Sequence, residues 1–247
     1  MPLSIALQTP NIYYVAMVLP DRDRAVVSAV ARFGQMSSKQ IYELIFSDTS
    51  QTPCDRALRR LTAYKYLNRI ERRMVGGLKG GSGQYVYQLG RRGFFLFNTG
   101  RYNPARAVNY HSIAIVDSYL ILRRLEADGA LQILGYSTEP DCWVTIDRNE
   151  LKPDMFVEIQ TTEPLKLWLE VDMATEGQRQ IKDKLVRYWR AFNDADSRVW
   201  PEFPLIVFVA VDDERAKELR WLIDQGAEQA QELFRVTTKD KLHTLFL

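Results

Sequence analysis

Residues 151–172 read LKPDMFVEIQTTEPLKLWLEVD, and this stretch decides the fold of the second half of the chain. Apolar and polar residues alternate on both sides of TTEP, which predicts two β-strands joined by a turn. Because alternate residues of a strand point the same way, Glu170 and Asp172 share one face of the second strand. Asp154, on the first strand, comes near them if the register brings all three acids to the same side.

Three acids in one place need an explanation, because neighbouring carboxylates repel each other unless a cation neutralises them. Hard oxygen ligands suit Mg²⁺ or Mn²⁺, so one interpretation is a divalent metal held by Asp154, Glu170 and Asp172. The alternative interpretation is structural: Asp154 caps a turn, and the two later acids pair with Lys184 or Arg187.

The segments around this stretch predict strands that alternate with helices. LQILGYS (131–137), PLIVFVAV (204–211) and the terminal LHTLFL (242–247) are strand-like. The segment VFVAVDDERAKELRWLI passes from a buried strand into a helix that Asp212 or Asp213 can cap. This order predicts an α/β sandwich for the C-terminal part.

The helix that follows the acids, EGQRQIKDKLVRYWRAF (176–192), is amphipathic. Its predicted inner face consists of Ile181, Leu185, Tyr188 and Phe192. Gln180 and Lys184 lie at the rim of that face, four residues apart, and either can lean over the sheet toward the acids.

The charge of the chain is distributed unevenly, although its net value is only +2. Residues 51–110 hold 12 Lys and Arg against Asp55 and Glu71, a balance of +10, which leaves −8 on the remainder. A basic region of this kind attracts a polyanion, and double-stranded DNA is the expected partner. The alternative is a solvated basic face without a partner.

Three helices and a hairpin are predicted in and before this basic region. DRDRAVVSAVARFG (21–34), SSKQIYELIF (37–46) and a third helix from about Pro53 through CDRALRRLTAYKYL have helical periodicity. Their predicted inward residues include Ala25 in the first helix and Tyr64 in the third. NRIERRMV and QYVYQL follow as strands around GGLKGGSG. This is the layout of a winged helix-turn-helix.

In that layout the third helix enters the major groove and the hairpin lies along the DNA backbone. The predicted DNA-binding residues are basic and belong to these two elements: Arg56, Arg59, Arg60 and Lys65 on and after the helix, and Arg72, Arg73 and Lys79 on the hairpin. A winged helix that is used only for protein contacts is the alternative.

The stretch that follows connects this part to the second domain. RRGFFLFNTGRYNPARAVNY (91–110) contains glycines and a proline, and its later part is the predicted link. HSIAIVDSYLILRRLEADG (111–129) then predicts a long amphipathic helix that ends at Gly129.

These segments together resemble a known family. A winged helix followed by KPDMFVEI, LWLEVDMATEG and KDKLVRYW is similar to the replication-relaxation family of bacterial plasmids and other mobile elements, over residues 20 to 210. The resemblance implies a PD-(D/E)xK, restriction-endonuclease-like domain in which Asp154 and Glu170 are the metal-binding acids and Glu139 is an additional acid. Asp172 stands where the motif has lysine, and Lys184 is the candidate replacement.

We therefore expect a protein that is α+β overall, with an N-terminal arm (1–20), a winged helix-turn-helix (21–100) and a nuclease-like α/β sandwich (101–247). Its expected function is DNA binding in plasmid or mobile-element replication, relaxation, transposition or transcriptional control, as a homodimer. A metal-dependent DNA endonuclease using Mg²⁺ or Mn²⁺ is the alternative. In a third interpretation the α/β domain is a platform for replication or transposition proteins.

Several other classes of protein are not favoured by the sequence. Cys54 and Cys142 are far apart and lie beside no other cysteine or histidine cluster, which argues against a disulfide framework or a zinc site. No targeting or membrane-spanning segment is expected, and the cytoplasm is the expected compartment. No nucleotide-binding phosphate loop or serine nucleophile motif is present.

Overall fold

The structure is a computed structural model that describes residues 19–73, 84–226 and 228–246, with the backbone alone at 71–73. The chain forms two compact units, which divide between Leu120 and Ile121. This division lies inside a helix, α5 (Tyr110–Ala127). The expected arm, residues 1–20, lies almost entirely outside the described residues, and the expected domain boundaries stay a prediction.

The N-terminal unit contains the predicted helices and hairpin. Its elements before α5 are α1 (Asp21–Phe33), β1 (Gln35–Ser37), α2 (Ser38–Ile45), α3 (Gln51–Ala63), β2 (Leu67–Arg73), β3 (Gln84–Leu89) and α4 (Arg91–Phe97). The strands form an antiparallel sheet in the order β1, β3, β2. Neither β1 nor α4 was predicted from the sequence.

Local signals explain where two of these helices begin and end. Gly34 follows α1 with φ +74°, a backbone conformation that favours glycine. At the start of α2 the Ser37 hydroxyl accepts from the Gln40 amide at 3.2 Å, and the Gln40 side chain accepts from the Ser37 amide at 2.9 Å. This reciprocal pair is a capping box and confirms the predicted serine cap.

The core of this unit follows the predicted helical stripes, with two exceptions. Val26, Val30 and Leu61 are completely buried. Ala25 is exposed, because the buried face of α1 passes through Val27 instead. Tyr64 is 57% exposed, because α3 ends at Ala63 and Tyr64 does not continue the buried face of the helix. The predicted burial of Ala25 and Tyr64 was wrong.

The C-terminal unit is a mixed α/β fold, as predicted. Its elements are β4 (Gln132–Thr138), β5 (Val144–Ile146), β6 (Asn149–Leu151), β7 (Met155–Gln160), β8 (Pro164–Asp172), α6 (Gln178–Asp194), β9 (Leu205–Ala210), α7 (Asp213–Asp224), α8 (Glu228–Gln231), β10 (Phe234–Thr238) and a 3-10 helix (Lys239–Leu245). The main sheet has the order β10, β9, β8, β7, β4, and β5 pairs separately with β6.

Strand directions in the main sheet are mixed. Strands β8, β9 and β10 are parallel, whereas β7 runs antiparallel to both β8 and β4. The predicted hairpin around TTEP is therefore confirmed. The terminal strand predicted at 242–247 was wrong: β10 ends at Thr238, and the next residues form a 3-10 turn that buries Leu242.

Helices α6 and α7 cover one face of this sheet. Trp168 and Phe208 from the sheet form one buried cluster with Tyr188 of α6 and Leu219 of α7. Phe192, which was predicted to face inward, is 42% exposed near the end of α6. The predicted cap of α7 is confirmed at Asp212, whose carboxylate accepts from the Arg215 amide at 2.8 Å.

The helices in the described ranges include none that is long and apolar enough to cross a membrane.

Candidate functional site

Three acids lie side by side at one end of the main sheet: Glu170 in β8, Asp154 just before β7 and Glu139 just after β4. The β7–β8 register pairs Met155 with Leu169, so one step further Asp154 lies opposite Glu170. On the other side of Asp154, the Glu139 amide donates to the Asp154 carbonyl at 3.0 Å. Carboxylate oxygens of Glu139 and Asp154 lie within 4.8 Å of each other. We call Glu139, Asp154 and Glu170 the carboxylate row.

Glu170 is the most deeply buried acid of the row, at 3% exposure. One oxygen accepts from Lys184 Nζ at 2.8 Å, and the other accepts from the Tyr188 hydroxyl. Burial raises the pKa of Glu170 to about 7, the negative charge of Asp154 adds to the rise, and Lys184 opposes it. Glu170 therefore keeps its proton to a higher pH than an ordinary glutamate does.

Lys184 reaches the row from α6. Its ammonium group also lies 3.0 Å from Glu176. Burial alone would lower the pKa of Lys184, but attraction to Glu170 and Glu176 raises it above its ordinary value, so the lysine is charged. The other candidate at the rim, Gln180, is used differently, because its side chain accepts from the Gly177 amide at 2.8 Å.

The Asp154 carboxylate is fixed by the neighbouring strand. Its Oδ2 accepts from the Val171 amide at 2.6 Å, and the residue is buried. This hydrogen bond fixes the position of the Asp154 carboxylate, one residue before β7 begins. The arrangement combines elements of both predicted roles, since Asp154 caps the end of a strand and also lies beside Glu170.

Asp172 has a different partner from the other acids. Arg215 of α7 donates to both of its oxygens, with Nε and Nη2 each at 2.9 Å, and both side chains are buried. The pair raises the pKa of Arg215 and neutralises Asp172. The predicted role of Asp172 as a metal ligand stays a prediction, and Arg215 was missed. No local sequence signal connects Arg215 with Asp172, because the contact depends on the pairing of β8 with β9, which places Ala210 beside Asp172.

The carboxylate row offers oxygen donors of the kind that a divalent cation prefers. Its oxygens come from three carboxyl groups, and hard oxygen ligands are those that Mg²⁺ and Mn²⁺ prefer. Carboxylate oxygens of Glu139 and Asp154 lie within 4.8 Å of each other, whereas both oxygens of Glu170 already accept hydrogen bonds, from Lys184 and Tyr188. Glu139 and Asp154 therefore fit Mg²⁺ or Mn²⁺, and the register places Glu170 beside them.

The predicted DNA-binding residues of α3 differ in what they contact. Arg56 and Arg59 are exposed and form no ion pair with any residue in the described ranges. Arg60 instead donates two hydrogen bonds to the buried Asp23, at 2.8 and 2.7 Å. Lys65 is exposed in the turn after α3, with φ +63°.

The predicted hairpin residues can be located only in part. Arg72 and Arg73 lie in β2, which pairs with β3, but their side chains lie outside the described residues. Lys79 and the whole GGLKGGSG segment lie outside them as well. The DNA contacts expected of these three residues stay predictions. Nearer the body of the unit, the Arg69 guanidinium lies 4.1 Å from the centre of the Tyr85 ring.

The chain was compared with protein families, curated proteins and solved structures. The model of the replication-relaxation family matches residues 28–202, well over half of the chain. Neither a curated protein nor a solved structure gives a significant match.

Proposed function

Because the chain belongs to the replication-relaxation family, we propose that it binds double-stranded DNA of a plasmid or other mobile element. The process served is replication, relaxation, transposition or transcriptional control, in the cytoplasm. The N-terminal unit is a winged helix-turn-helix in this proposal, with α3 in the major groove and the β2–β3 hairpin along the backbone.

One observation carries this proposal: α3 presents two arginines that have no partner within the described chain. Arg56 and Arg59 are spaced three residues apart, so they project from one face of the helix. An arginine without an intramolecular partner keeps all its donors available for a phosphate or a guanine edge. The +10 balance of residues 51–110 adds attraction over a longer range.

The proposal is tested with a fluorescently labelled duplex at one fixed ionic strength. We expect the double variant Arg56→Ala/Arg59→Ala to bind about tenfold or more weakly than wild type. The double variant Arg179→Ala/Arg190→Ala is the control, because it removes the same charge from exposed positions of α6. Equal affinities of the two double variants for the duplex would show that Arg56 and Arg59 of α3 do not contact the DNA.

The carboxylate row supports a second function, metal-dependent cleavage of a DNA phosphodiester. A bound divalent cation would supply Lewis-acid chemistry at the scissile phosphate and lower the pKa of a bound water. Glu139, Asp154 and Glu170 would hold it. Lys184, charged and 2.8 Å from Glu170, would donate to a phosphate oxygen or orient the attacking water. The Tyr188 hydroxyl holds Glu170 in place.

Supercoiled plasmid incubated with Mg²⁺ or Mn²⁺ tests this second function. If the row is catalytic, wild type nicks or linearises the plasmid, while Asp154→Asn and Glu170→Gln bind DNA without cutting it. Glu163→Gln, in the exposed turn between β7 and β8, is the matched control and should cut like wild type. If the plasmid stays intact at protein concentrations where the DNA is bound, cleavage is contradicted and DNA recognition remains as the proposed function.

Partners other than DNA are also part of the proposal. A homodimer would place two recognition helices on successive half-sites of the duplex. Sedimentation of the protein with and without DNA measures this state. In the third interpretation the C-terminal unit carries replication or transposition proteins, and it would then keep binding them in the Arg56→Ala/Arg59→Ala variant.

A further inference from the structure

The C-terminal unit contains a cavity of about 520 Å³ that the function proposed above does not use. It opens between β4, β7 and β8 of the main sheet, the segment before β5, and the segment after α6. Its volume lies in the range of small-molecule sites. We call it the aromatic cavity because five of the residues that line it are aromatic: Tyr136, Trp143, Phe156, Trp168 and Trp200.

A buried hydroxyl group in the cavity wall has no partner. Ser137 is 5% exposed, and its Oγ makes no hydrogen bond within the described parts of the chain. An unpaired buried hydroxyl costs on the order of 1–3 kcal/mol, so such groups are generally satisfied by water or a ligand. The neighbouring polar group, the Cys142 thiol, is already satisfied because it donates to the Pro153 carbonyl at 2.9 Å.

The charged side chains around the cavity indicate which occupant it can bind. Three of the residues that line it are acidic and one is basic: Asp141, Glu158, Glu202 and Lys166. The Lys166 ammonium lies 3.8 Å from Glu202 and is partly neutralised by it. The Lys152 ammonium lies 4.9 Å from the centre of the Trp143 ring, so both signs of charge occur here. The carboxylates can accept hydrogen bonds from an occupant, which favours a planar ring that carries an amino group.

The aromatic cavity and the carboxylate row lie on the same face of the sheet. The register places Ser137, Phe156 and Trp168 side by side across β4, β7 and β8. The carboxylate row occupies the next same-face position along these strands, two residues away. Two residues of a strand span about 6.6 Å, so this is the approximate distance along the strands between a group in the cavity and a group at the carboxylate row.

We propose that the aromatic cavity binds a single unstacked nucleobase that carries an exocyclic amino group. Its own strand would continue with a phosphate toward the carboxylate row. Stacking on rings and hydrogen bonding to the base edge is how proteins hold a base taken out of its helix. This inference rests on the proposed nucleic-acid function and adds a base preference to it: cytosine or adenine over thymine, because thymine has no amino group.

Three single-stranded oligomers of equal length test the inference: oligo(dC), oligo(dT) and an abasic deoxyribose-phosphate chain. All three carry the same charge, so the affinity ratios isolate the bases. Wild type should bind oligo(dC) most tightly. Trp143→Ala, at a half-exposed position of the wall, should weaken oligo(dC) binding about tenfold and leave the abasic chain unaffected. Ser137→Val should also reduce the preference for oligo(dC) over oligo(dT).

Trp221→Ala is the matched control, because Trp221 is similarly exposed on α7 and does not line the cavity. It should bind all three oligomers like wild type. If Trp143→Ala binds oligo(dC) as wild type does while duplex binding is intact, the inference about the cavity is overturned and the proposed function survives. If no oligomer and no duplex is bound, both are overturned.

Discussion

Asp23 is a buried acid in α1, with its side chain only 3% exposed, and Arg60 of α3 is its partner. The two hydrogen bonds between them raise the pKa of Arg60 and join the first and third helices of the N-terminal unit. A buried carboxylate is tolerated when it is paired, and losing the partner leaves an uncompensated charge. Arg60 therefore has a structural task that its neighbour Arg59 does not have.

We predict that Arg60→Ala lowers the free energy of unfolding of the N-terminal unit by about 2–3 kcal/mol. Arg59→Ala should change it by less than about 0.5 kcal/mol, as an exposed surface substitution does. Urea unfolding of both variants measures the difference. Equal stabilities would show that the ion pair contributes little and that Arg60 is available for DNA.

Glu170 gives the C-terminal unit a pH-dependent stability. Its pKa is about 7 in the folded protein against an ordinary value of 4.5, so the folded state binds the proton more tightly than the unfolded chain. The contribution of this group is therefore complete below about pH 4.5 and is lost as the pH rises through about 7.

Glu170→Gln removes this titration. We expect the stability of wild type relative to Glu170→Gln to fall by about 1–3 kcal/mol between about pH 4.5 and pH 8. Denaturant unfolding of both proteins across this range measures the fall. A stability difference that stays constant with pH would mean that Glu170 titrates normally.

At the scale of elements, the hairpin of β7 and β8 is what the sequence predicted best. Strand alternation placed Glu170 and Asp172 on one face, and the turn at TTEP allowed Asp154 to approach. Alternation alone does not show which acid gains which partner. Arg215 comes from a helix more than forty residues away in the sequence, and only the β8–β9 pairing brings it to Asp172.

Other elements were not predictable because their causes are not local. Strand β1 has three residues and exists because it pairs with β3. Helix α4 follows the hairpin directly, where RRGFFLF comes after Gly90, contains Gly93 and lacks a helical cap signal. Its position depends on close contact between backbones, which a pattern of side chains does not record.

That contact gives a test at Gly93 of α4. A Cβ atom there would lie 2.1 Å from the Tyr66 carbonyl oxygen, so the backbone must shift to accept any side chain. We predict that Gly93→Ala destabilises the N-terminal unit by about 1–3 kcal/mol or more. Gly135→Ala is the control, since nothing lies within 4 Å of its Cβ position, and thermal unfolding compares them. A fully stable Gly93→Ala variant would contradict the described packing of α4.

For the whole molecule, two units with different chemistry occur in one chain. The N-terminal unit contains the whole block of residues 51–110, with its balance of +10, while the residues outside that block carry −8. In our account the basic N-terminal unit binds DNA, and the C-terminal unit contains the carboxylate row and the aromatic cavity. The charge block was visible in the sequence. The pairing of Arg60 with Asp23 was not, because it depends on a buried acid in another helix.

The central claim is that α3 binds DNA, and the salt dependence of duplex binding tests it most directly. Anisotropy titrations over a series of salt concentrations give the slope of log K against log salt for wild type and for Arg56→Ala/Arg59→Ala. We predict a linear decrease for wild type, and a slope that is smaller by about 1 for each arginine that contacts a phosphate. An identical slope and affinity for the two proteins would contradict the account.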